Sequence, residues 1–353
     1  MDYIFNHSVP CPSSLVPRPS SLVPRPLSLV LRPFVLFIGL YIAQNYFRTY
    51  PMTISGFTMV RNADKYYFPI KESIKSILPI VDEFVVALGD CDAEDKTREL
   101  IESIGSNKIK ILERTWDEKA FVDGKIFADE TTFALQQCKG DWCFYLQADE
   151  VIHENDLPTI QRACFDNLDN KVVDGLLFKY HHFFADYDHY MPFHGWYKRE
   201  IRIVRNGANI FSYKDAQSFR KNDFEKLNVK AIDAHVYHYG WVRPPHLMQA
   251  KKKEQDGMHH GKEKIEKAYS VLKNEFDFGA LSLIPVFEGT HPKVMETYIQ
   301  KLDWQHKLNY TKQIKSNRPK LKHERLKNRI LSYIENKFLG GREMFGYSNW
   351  NEV

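Results

Sequence analysis

The chain has 353 residues, of which 43% are hydrophobic and 14% aromatic, so it can bury one large core or two modest ones. This composition excludes intrinsic disorder for most of the chain. The formal net charge is only +4, and ten basic residues lie between positions 311 and 342, where only two acids occur. The basic character is therefore local, and it indicates either a solvated helix face or a surface that contacts membranes or polyanions.

Five cysteines are present, an odd number without any C-x-x-C pair. This pattern argues against a disulfide framework and against a structural zinc site. A reducing compartment is the simplest interpretation, and we expect a cytoplasmic location, with membrane association as an open alternative.

The first fifty residues differ from the rest of the chain. The heptad SSLVPRP occurs at 13–19 and again at 20–26, and a degraded copy follows it. Such frequent proline predicts an unstructured tail rather than a helix. The apolar run Phe34–Ala43 has only ten residues, whereas a membrane-spanning helix needs about 20. We expect residues 1–50 to form a separate low-complexity segment, with a membrane anchor as the alternative.

From Met52 onward, strand patterns alternate with helix patterns. Strands are predicted at 53–60, 84–88, 108–112 and 142–146, with helices after Pro69, around Leu100 and at 127–137. Strands separated by helices form βαβ units, which predict an α/β fold with a mainly parallel, Rossmann-like nucleotide-binding sheet flanked by helices. Ligands of such sheets lie beyond the carboxyl ends of the strands.

The second half of the sequence has a different character. Segments 176–180, 201–204 and 236–239 look like strands, but aromatic and charged loops separate them instead of regular helices. We expect these strands to extend the same sheet and to wall a second pocket. From His246 the pattern becomes helical and basic.

Two adjacent carboxylates, Asp149 and Glu150, end the apolar run DWCFYLQADE at 141–150. A carboxylate at the end of a buried strand is costly unless it is solvated or paired with a cation. Mg²⁺ or Mn²⁺ accepts carboxylate oxygens while leaving positions for phosphate, so this site could hold a metal that bridges a diphosphate. Alternatively, the two acids simply precede a helix, where negative charge is favourable.

A succession of motifs carries a family resemblance. These are ISGFTMVRN (54–62), ILPIVDEFVV (77–86), GDWCFYLQADE (140–150), WYKREIRIVRN (196–206), FSYKDAQ (211–217), YHYGW (237–241) and FEGTHP (287–292). In this order and spacing they resemble family 2 glycosyltransferases of the GT-A fold, in a bacterial-type branch, from about Met52 to the C-terminus. The resemblance implies a catalytic domain at 51–245 and a helical, basic extension at 246–353 that packs on it.

The implied activity is inverting transfer of a sugar from a nucleoside-diphosphate sugar, with a UDP-sugar favoured, to an acceptor hydroxyl. The acceptor would be a glycan or glycolipid, and Mn²⁺ or Mg²⁺ would assist. The family usually has Asp-x-Asp after the fourth strand, where this chain has Gln147-Ala-Asp149. The resemblance assigns Asp149 and His238 to the metal and Gln147 to a ribose hydroxyl. A hydrogen-bonded core histidine is the alternative for His238.

Candidates for binding the nucleotide follow the first strands of the sheet. The resemblance places the base, ribose and diphosphate near a set of six residues, namely Arg61, Asn62, Asp90, Asp92, Lys125 and Asp129. Which acid of the loop after the second strand contacts the ribose or base stays open. Lys125 is either a point charge for the base or diphosphate or an ordinary surface lysine.

Inverting transfer needs a general base on the acceptor side. Asp215, in YKDAQ, is favoured by the resemblance, and Asp186, Asp188 and Glu200 are rivals. Arg202 could present its guanidinium to a diphosphate or an anionic acceptor, or it could lie on a solvated strand face.

Two other functions remain open at this point. A sugar-phosphate nucleotidyltransferase would normally carry a Gly-rich phosphate-binding loop, and ISGFTMVRN supplies only Gly56. A catalytically impaired sugar-nucleotide-binding protein is kept open by Gln147. Nucleic-acid recognition finds little support, because the basic segment has no regularly interleaved aromatics and no known module motif occurs. Peripheral membrane contact through the basic C-terminal segment fits better.

Overall fold

The computed structural model describes residues 51–117, 123–311, 320–339, 343–344, 346 and 348–353. Residues from Met52 to Val353 form one compact unit. The tail and the short apolar segment predicted within residues 1–50 lie outside the described residues, as does part of the basic segment, 312–319. Among the described residues, no helix combines the length and apolarity that crossing a membrane requires.

The N-terminal half alternates strands and helices, as predicted. Its elements are β1 (Ile54–Val60), α1 (Ile70–Ile77), β2 (Glu83–Leu88), α2 (Thr97–Glu102), β3 (Ile109–Glu113), α3 (Lys125–Gln136) and β4 (Trp142–Tyr145). The strands pair in parallel in the order β3-β2-β1-β4. Strands β1, β2 and β4 are buried on both faces, which is why their sequences are nearly continuous apolar runs. The predicted α/β class is confirmed, and in this half of the chain the sheet is parallel.

The second half extends the same sheet, also as predicted. It contributes β5 (Glu150–Ile152), α4 (Leu157–Asn167), β6 (Gly175–Phe184), β7 (Arg199–Arg205), β8 (Ile210–Tyr213), β9 (Ser218–Lys221), β10 (Glu225–Trp241) and β11 (Trp350–Glu352). The sheet continues from β4 in the order β7-β6-β10-β9-β8, and both β5 and β11 pair with β10. Strand β7 is antiparallel to both of its neighbours, so this half of the sheet is mixed.

The C-terminal region contains four described helices separated by irregular segments. They are α5 (Pro245–His260), α6 (Lys262–Tyr269), α7 (Glu296–Gln300) and α8 (Leu326–Phe338). The helical pattern predicted from His246 is interrupted, because Gly261 adopts a φ of 88° and separates α5 from α6. This positive φ is open to glycine and strained for most other residues.

The long strand β10 brings distant parts of the chain together. It pairs in parallel with β6 and antiparallel with β5. In this register His238 lies beside Glu150 on one neighbouring strand and beside His182 on the other. Because directly paired residues share a face of the sheet, this register determines which side chains meet at the end of β4.

Candidate active site

A large cavity opens at the carboxyl ends of the parallel strands, where ligands of such sheets bind. Its volume is about 1620 Å³. The wall includes Val60 and Arg61 at the end of β1 and Gln147, Ala148 and Asp149 directly after β4. Ligand pockets usually measure about 300–1,000 Å³, so this cavity has room for more than one small molecule.

Asp149 is buried, with only 6% of its surface exposed, yet it lines the cavity. Its Oδ2 lies 3.4 Å from the Lys251 ammonium, and its Oδ1 lies 3.7 Å from Nε2 of His238. Burial would raise the pKa of this carboxyl, but His238, Lys251 and Arg243 together hold it below its ordinary value. Asp149 is therefore ionised at neutral pH.

Two buried cations support Asp149 from inside the protein. Lys251 donates to the carbonyl of Gly240 at 2.9 Å, and Arg243 donates to the same carbonyl at 3.0 Å and to the carbonyl of Tyr66. Burial, reinforced by Arg243, lowers the pKa of Lys251 to about 7, and burial lowers that of Arg243 to about 10. Both cations lie against the ring of Phe68, which lines the cavity. When both are charged, they exceed the charge of Asp149 and favour an anionic ligand nearby.

Glu150 has a role different from that of its neighbour. It is fully buried and accepts two hydrogen bonds from Arg202, at 2.7 and 2.8 Å, and one from the Tyr180 hydroxyl at 2.8 Å. Arg202 is equally buried and does not reach the cavity. The expectation that Arg202 could contact a diphosphate is therefore wrong, because its guanidinium is committed to Glu150.

The two predicted metal ligands, Asp149 and His238, lie together. Their facing atoms, Oδ1 and Nε2, are 3.7 Å apart, too far for a hydrogen bond, so the imidazole leaves this edge unused. Among the described residues, no group of three or more His, Cys, Asp or Glu could hold a metal by itself. Mg²⁺ is commonly held by one or two carboxylates together with substrate phosphates. Asp149 supplies one carboxylate at the cavity wall, and His238, which does not itself line the cavity, would add an imidazole from behind it.

The candidate nucleotide end of the cavity lies near the ends of β1 and β2. Arg61 donates through Nε to the carbonyl of Asp90 at 3.0 Å and lies 5.5 Å from the Trp116 ring. The Asp90 carboxylate accepts from the Trp116 backbone N–H at 3.1 Å. Arg61, Trp116 and Phe127 line the cavity, which gives this end a cation and two aromatic rings.

Other predicted nucleotide residues do not line the cavity. Asn62 donates to and accepts from Asp92, so the pair fastens the end of β1 to the acidic loop. Asp92 also pairs with Lys65. Lys125 and Asp129 form an exposed i,i+4 ion pair on α3. These four residues, and the side chain of Asp90, do not line the cavity.

Gln147 lines the cavity, and its side-chain amide lies 3.4 Å from the carbonyl of Ala216. Asp215, next to Ala216, is exposed and also lines the cavity. The loop between β8 and β9 thus carries the favoured general base to the site.

The rival bases occupy other places. Asp188 is exposed but does not line the cavity. Asp186 is fully buried and accepts hydrogen bonds from the His189 ring and the Tyr310 hydroxyl. Glu200 is buried and accepts from Asn349 at 3.3 Å, away from the cavity. Burial raises the pKa of Glu200 to about 7.

A second aromatic group, here called the aromatic wall, lines another part of the cavity. Trp241 lies 5.6 Å from Trp196, 5.7 Å from Phe184 and 5.9 Å from Phe276, measured between ring centroids. Among the basic side chains that line the same cavity, four come from later parts of the chain, namely Lys273, Lys320, Lys322 and Arg325. Flat aromatic faces are suitable surfaces for sugar rings.

Sequence reasoning missed the cations behind Asp149 and the partner of His238. Lys251 occurs in a run of three lysines, 251–253, whose members look alike in sequence. Only the packing of α5 shows that Lys251 is buried. His182 follows the predicted strand 176–180, and its contact with His238 depends on the register between β6 and β10.

Comparisons with known proteins give only remote likenesses. No protein-family model and no curated protein matches the chain. TarS from S. aureus is similar in structure over 58% of this chain and 39% of that protein, with 16% identity and a TM-score of 0.35. Glucosyl-3-phosphoglycerate synthase from Mycobacterium tuberculosis, in a complex with Mn²⁺, UDP and phosphoglyceric acid, is similar over 40% of this chain and 46% of that protein, with 21% identity and a TM-score of 0.26.

Mannosyl-3-phosphoglycerate synthase from Rubrobacter xylanophilus is similar over 37% of this chain and 41% of that protein, with 21% identity and a TM-score of 0.26. The matched part therefore spans less than half the length of each of these three proteins. Likenesses of this size carry no argument about activity, and the proposal below depends on the site and the sequence motifs.

Proposed function

We propose that this protein is an inverting glycosyltransferase that moves a sugar from a nucleoside-diphosphate sugar to an acceptor hydroxyl on a glycan or glycolipid. The observation that carries the proposal is Asp149, an ionised carboxylate at the end of β4 that lines the strand-end cavity in front of two buried cations. Residues of five motifs that resemble family 2 glycosyltransferases, those at 54–62, 140–150, 196–206, 211–217 and 237–241, line the same cavity, whereas none from 77–86 or 287–292 does. A UDP-sugar remains the favoured donor, on the resemblance alone.

The metal-assisted form of this reaction would use Asp149 and His238 to hold Mn²⁺ or Mg²⁺. When bound, such a cation neutralises the negative charge that develops on a leaving diphosphate. Lys251 and Arg243 keep Asp149 ionised and add positive charge behind it. Arg61, at the end of β1, supplies a further guanidinium toward the diphosphate side of the cavity.

On the acceptor side, Asp215 is the proposed general base that accepts the proton of the attacking hydroxyl. Support comes from its place in the cavity, whereas Asp188 and Glu200 lie outside it. Gln147 is proposed to contact a ribose hydroxyl. The aromatic wall, in the cavity that Lys273, Lys320, Lys322 and Arg325 also line, is proposed to receive the acceptor. Peripheral membrane contact through the basic C-terminal segment remains part of this proposal.

A sugar-nucleotide-binding protein without turnover is the second candidate. Gln147 favours it, because an amide stands where the family usually has a carboxylate. Restoring the acid in Gln147→Asp and measuring donor hydrolysis separates the two candidates. Hydrolysis or transfer by the wild type supports an enzyme, whereas activity that appears only in Gln147→Asp supports the impaired protein.

The first test is a thermal-shift comparison with UDP, GDP, CDP and TDP, each with and without Mn²⁺. A ligand at 100 times its dissociation constant stabilises the folded state by about 2.7 kcal/mol. We expect one diphosphate to raise the unfolding midpoint more strongly with Mn²⁺, and Asp149→Asn to abolish this gain. Asp188→Asn, an exposed acid outside the cavity, is the matched control. No shift with any nucleotide would contradict the proposal.

A further inference from the structure

Two histidines and one backbone carbonyl form a hydrogen-bonded chain that ends at Asp149. Nε2 of His182 lies 2.7 Å from the carbonyl oxygen of Tyr197. Nδ1 of His182 lies 2.9 Å from Nδ1 of His238. Nε2 of His238 then faces Oδ1 of Asp149 at 3.7 Å. The middle link is set by strand register, because His182 and His238 are directly paired residues on β6 and β10.

The positions of the protons in this hydrogen-bonded series follow from the Tyr197 carbonyl at one end. A carbonyl oxygen can only accept, so Nε2 of His182 must carry a hydrogen. A neutral imidazole has one N–H, so Nδ1 of His182 has a lone pair and accepts from His238. Nδ1 of His238 therefore carries the hydrogen of that ring. Nε2 of His238 therefore carries no hydrogen, and its lone pair is directed at the Asp149 carboxylate.

Both rings are buried and held in place by their surroundings. His182 is 2% exposed and His238 8% exposed. Tyr180 stacks on the His182 ring at 5.2 Å and Tyr197 contacts it edge-on at 4.5 Å, so the ring cannot turn freely.

We propose that His182 is a positioning residue that fixes the tautomer of His238, so that Nε2 of His238 and the Asp149 carboxylate are both free to bind a divalent cation. This inference rests on the proposed function, because that chemistry supplies the cation and the diphosphate. Imidazole ligands of metals almost always donate their other N–H to a fixed acceptor, which orients the ring. Here the acceptor is a second histidine, itself oriented by the Tyr197 carbonyl.

The alternative tautomer would have the opposite effect. With its hydrogen on Nε2, His238 would direct an N–H toward Oδ1 of Asp149 and could hydrogen-bond to it after a small movement. That bond would occupy both metal donors at once. A pair of purely structural histidines would gain from such a bond, but the 3.7 Å separation shows that it is not formed.

The test compares two substitutions of equal size at position 182 in the full chain. His182→Asn keeps an acceptor oxygen for the N–H of His238, whereas His182→Leu removes it. Mn²⁺ binding is measured by electron paramagnetic resonance, with the metal alone and with UDP. Loss of the outer partner of a metal ligand typically lowers metal affinity 10- to 100-fold. We expect that loss in His182→Leu and less than a fivefold loss in His182→Asn.

A second readout reports the tautomer without any metal. In protein labelled with ¹⁵N at histidine, the two nitrogens of His238 give distinct shifts for N–H and for lone-pair nitrogen. We expect the Nδ1–H form in the wild type and in His182→Asn, and a shift toward Nε2–H in His182→Leu. If His182→Leu fails to fold, the wild-type tautomer still decides, because an Nε2–H form there overturns the inference.

The outcomes separate this inference from the proposed function. Equal Mn²⁺ affinity in the Asn and Leu variants, or no Mn²⁺ binding by the wild type, overturns the role of His182 but leaves a metal-independent transferase standing. Mn²⁺ binding that depends on His182, without binding of any nucleoside diphosphate, supports the role of His182 and contradicts the transferase.

Discussion

At the scale of single residues, two neighbouring carboxylates have opposite roles. Asp149 lines the cavity and faces His238 and Lys251, whereas Glu150 is enclosed by Arg202 and Tyr180. The difference arises because β5 begins at Glu150 and its side chain enters the sheet core, while Asp149 remains on the loop from β4. Asp149 therefore faces the site, while the buried ion pair between Glu150 and Arg202 anchors the neighbouring backbone.

Gly240 leaves the space in which the proposed metal ligands meet. A Cβ at this position would lie 2.6 Å from the His238 ring and 2.7 Å from Oδ2 of Asp149. We predict that Gly240→Ala displaces both groups, costs about 1–3 kcal/mol of stability, and removes the Mn²⁺-dependent part of nucleotide binding. Thermal shift with UDP, with and without Mn²⁺, measures this effect.

The control for Gly240→Ala is Gly105→Ala. Gly105 has a φ of 68° and open space around its Cβ position, so alanine there destabilises the fold by backbone strain without touching the cavity. Nucleotide binding should be unchanged in the control. If both variants retain the Mn²⁺-dependent shift, the close approach at Gly240 has no role in the site.

Glu200 gives a prediction for pH. Burial raises the pKa of its carboxyl from 4.5 to about 7, so the folded state holds this proton more tightly than the unfolded state. The associated stability is fully present below pH 4.5 and is lost as the pH rises to about 7. The difference between the two pKa values corresponds to about 3 kcal/mol in the free energy of unfolding.

Urea unfolding at pH 5 and pH 8 tests that sign. Relative to Glu200→Gln, which cannot titrate, the wild type should lose about 2 to 3 kcal/mol between these two values. Other groups titrate equally in both proteins and cancel in the difference. If the free energy of unfolding changed equally with pH in the two proteins, ionisation of Glu200 would cost the folded state little.

The sequence motifs identified Asp149, His238 and Asp215 as candidate site residues, because each belongs to a motif with an ordered place in the chain. The sequence did not identify Lys251 or His182 as candidates. A lysine within a run of lysines and a histidine within an aromatic strand have no local signal of burial, and their contacts join residues 102 and 56 positions apart. Such contacts are determined by packing and strand register, which one sequence does not display.

At the scale of elements, strands were easier to predict than their partners. The apolar runs of β1, β2 and β4 identify them because both of their faces are buried. Strand β10 is 17 residues long, but only its end at 236–239 was predicted, because polar and charged residues interrupt the earlier part. Its length allows β10 to pair with β5, β6, β9 and β11.

The C-terminal strand β11 is predicted to be essential for stability. Arg220 is 3% exposed and donates to the backbone carbonyl and to the side-chain oxygen of Asn349, at 3.0 and 3.1 Å. Removing residues 349–353 would leave this guanidinium buried without these acceptors. We predict a loss of about 3 kcal/mol in the free energy of unfolding, measured with urea.

Glu352→Gln is the matched control for that deletion. It breaks only the partly exposed ion pair with Arg199, which should contribute less than about 1 kcal/mol. A deletion that costs no more than this control would show that Arg220 finds other partners and that β11 is dispensable.

At the scale of the whole molecule, the cavity has two chemically different ends. Arg61 and Trp116 mark the end near β1 and β2, while Trp241 and Arg325 mark the end formed by later parts of the chain. Asp149 lies in the wall between the sheet and α5, which carries Lys251. This arrangement suits a donor and an acceptor that meet near Asp149, as transfer between two bound molecules requires.

Paired charge removals test this division of the cavity. We predict that Arg61→Ala weakens UDP binding about tenfold or more, because a hydrogen bond from a charged group contributes about 1.5–3 kcal/mol. Arg325→Ala removes the same charge from the other end and should leave the UDP dissociation constant within about twofold. Isothermal titration calorimetry of both variants gives these values directly. A larger loss in Arg325→Ala than in Arg61→Ala would reverse the assignment, so that the nucleotide would bind beside the aromatic wall and the acceptor beside β1.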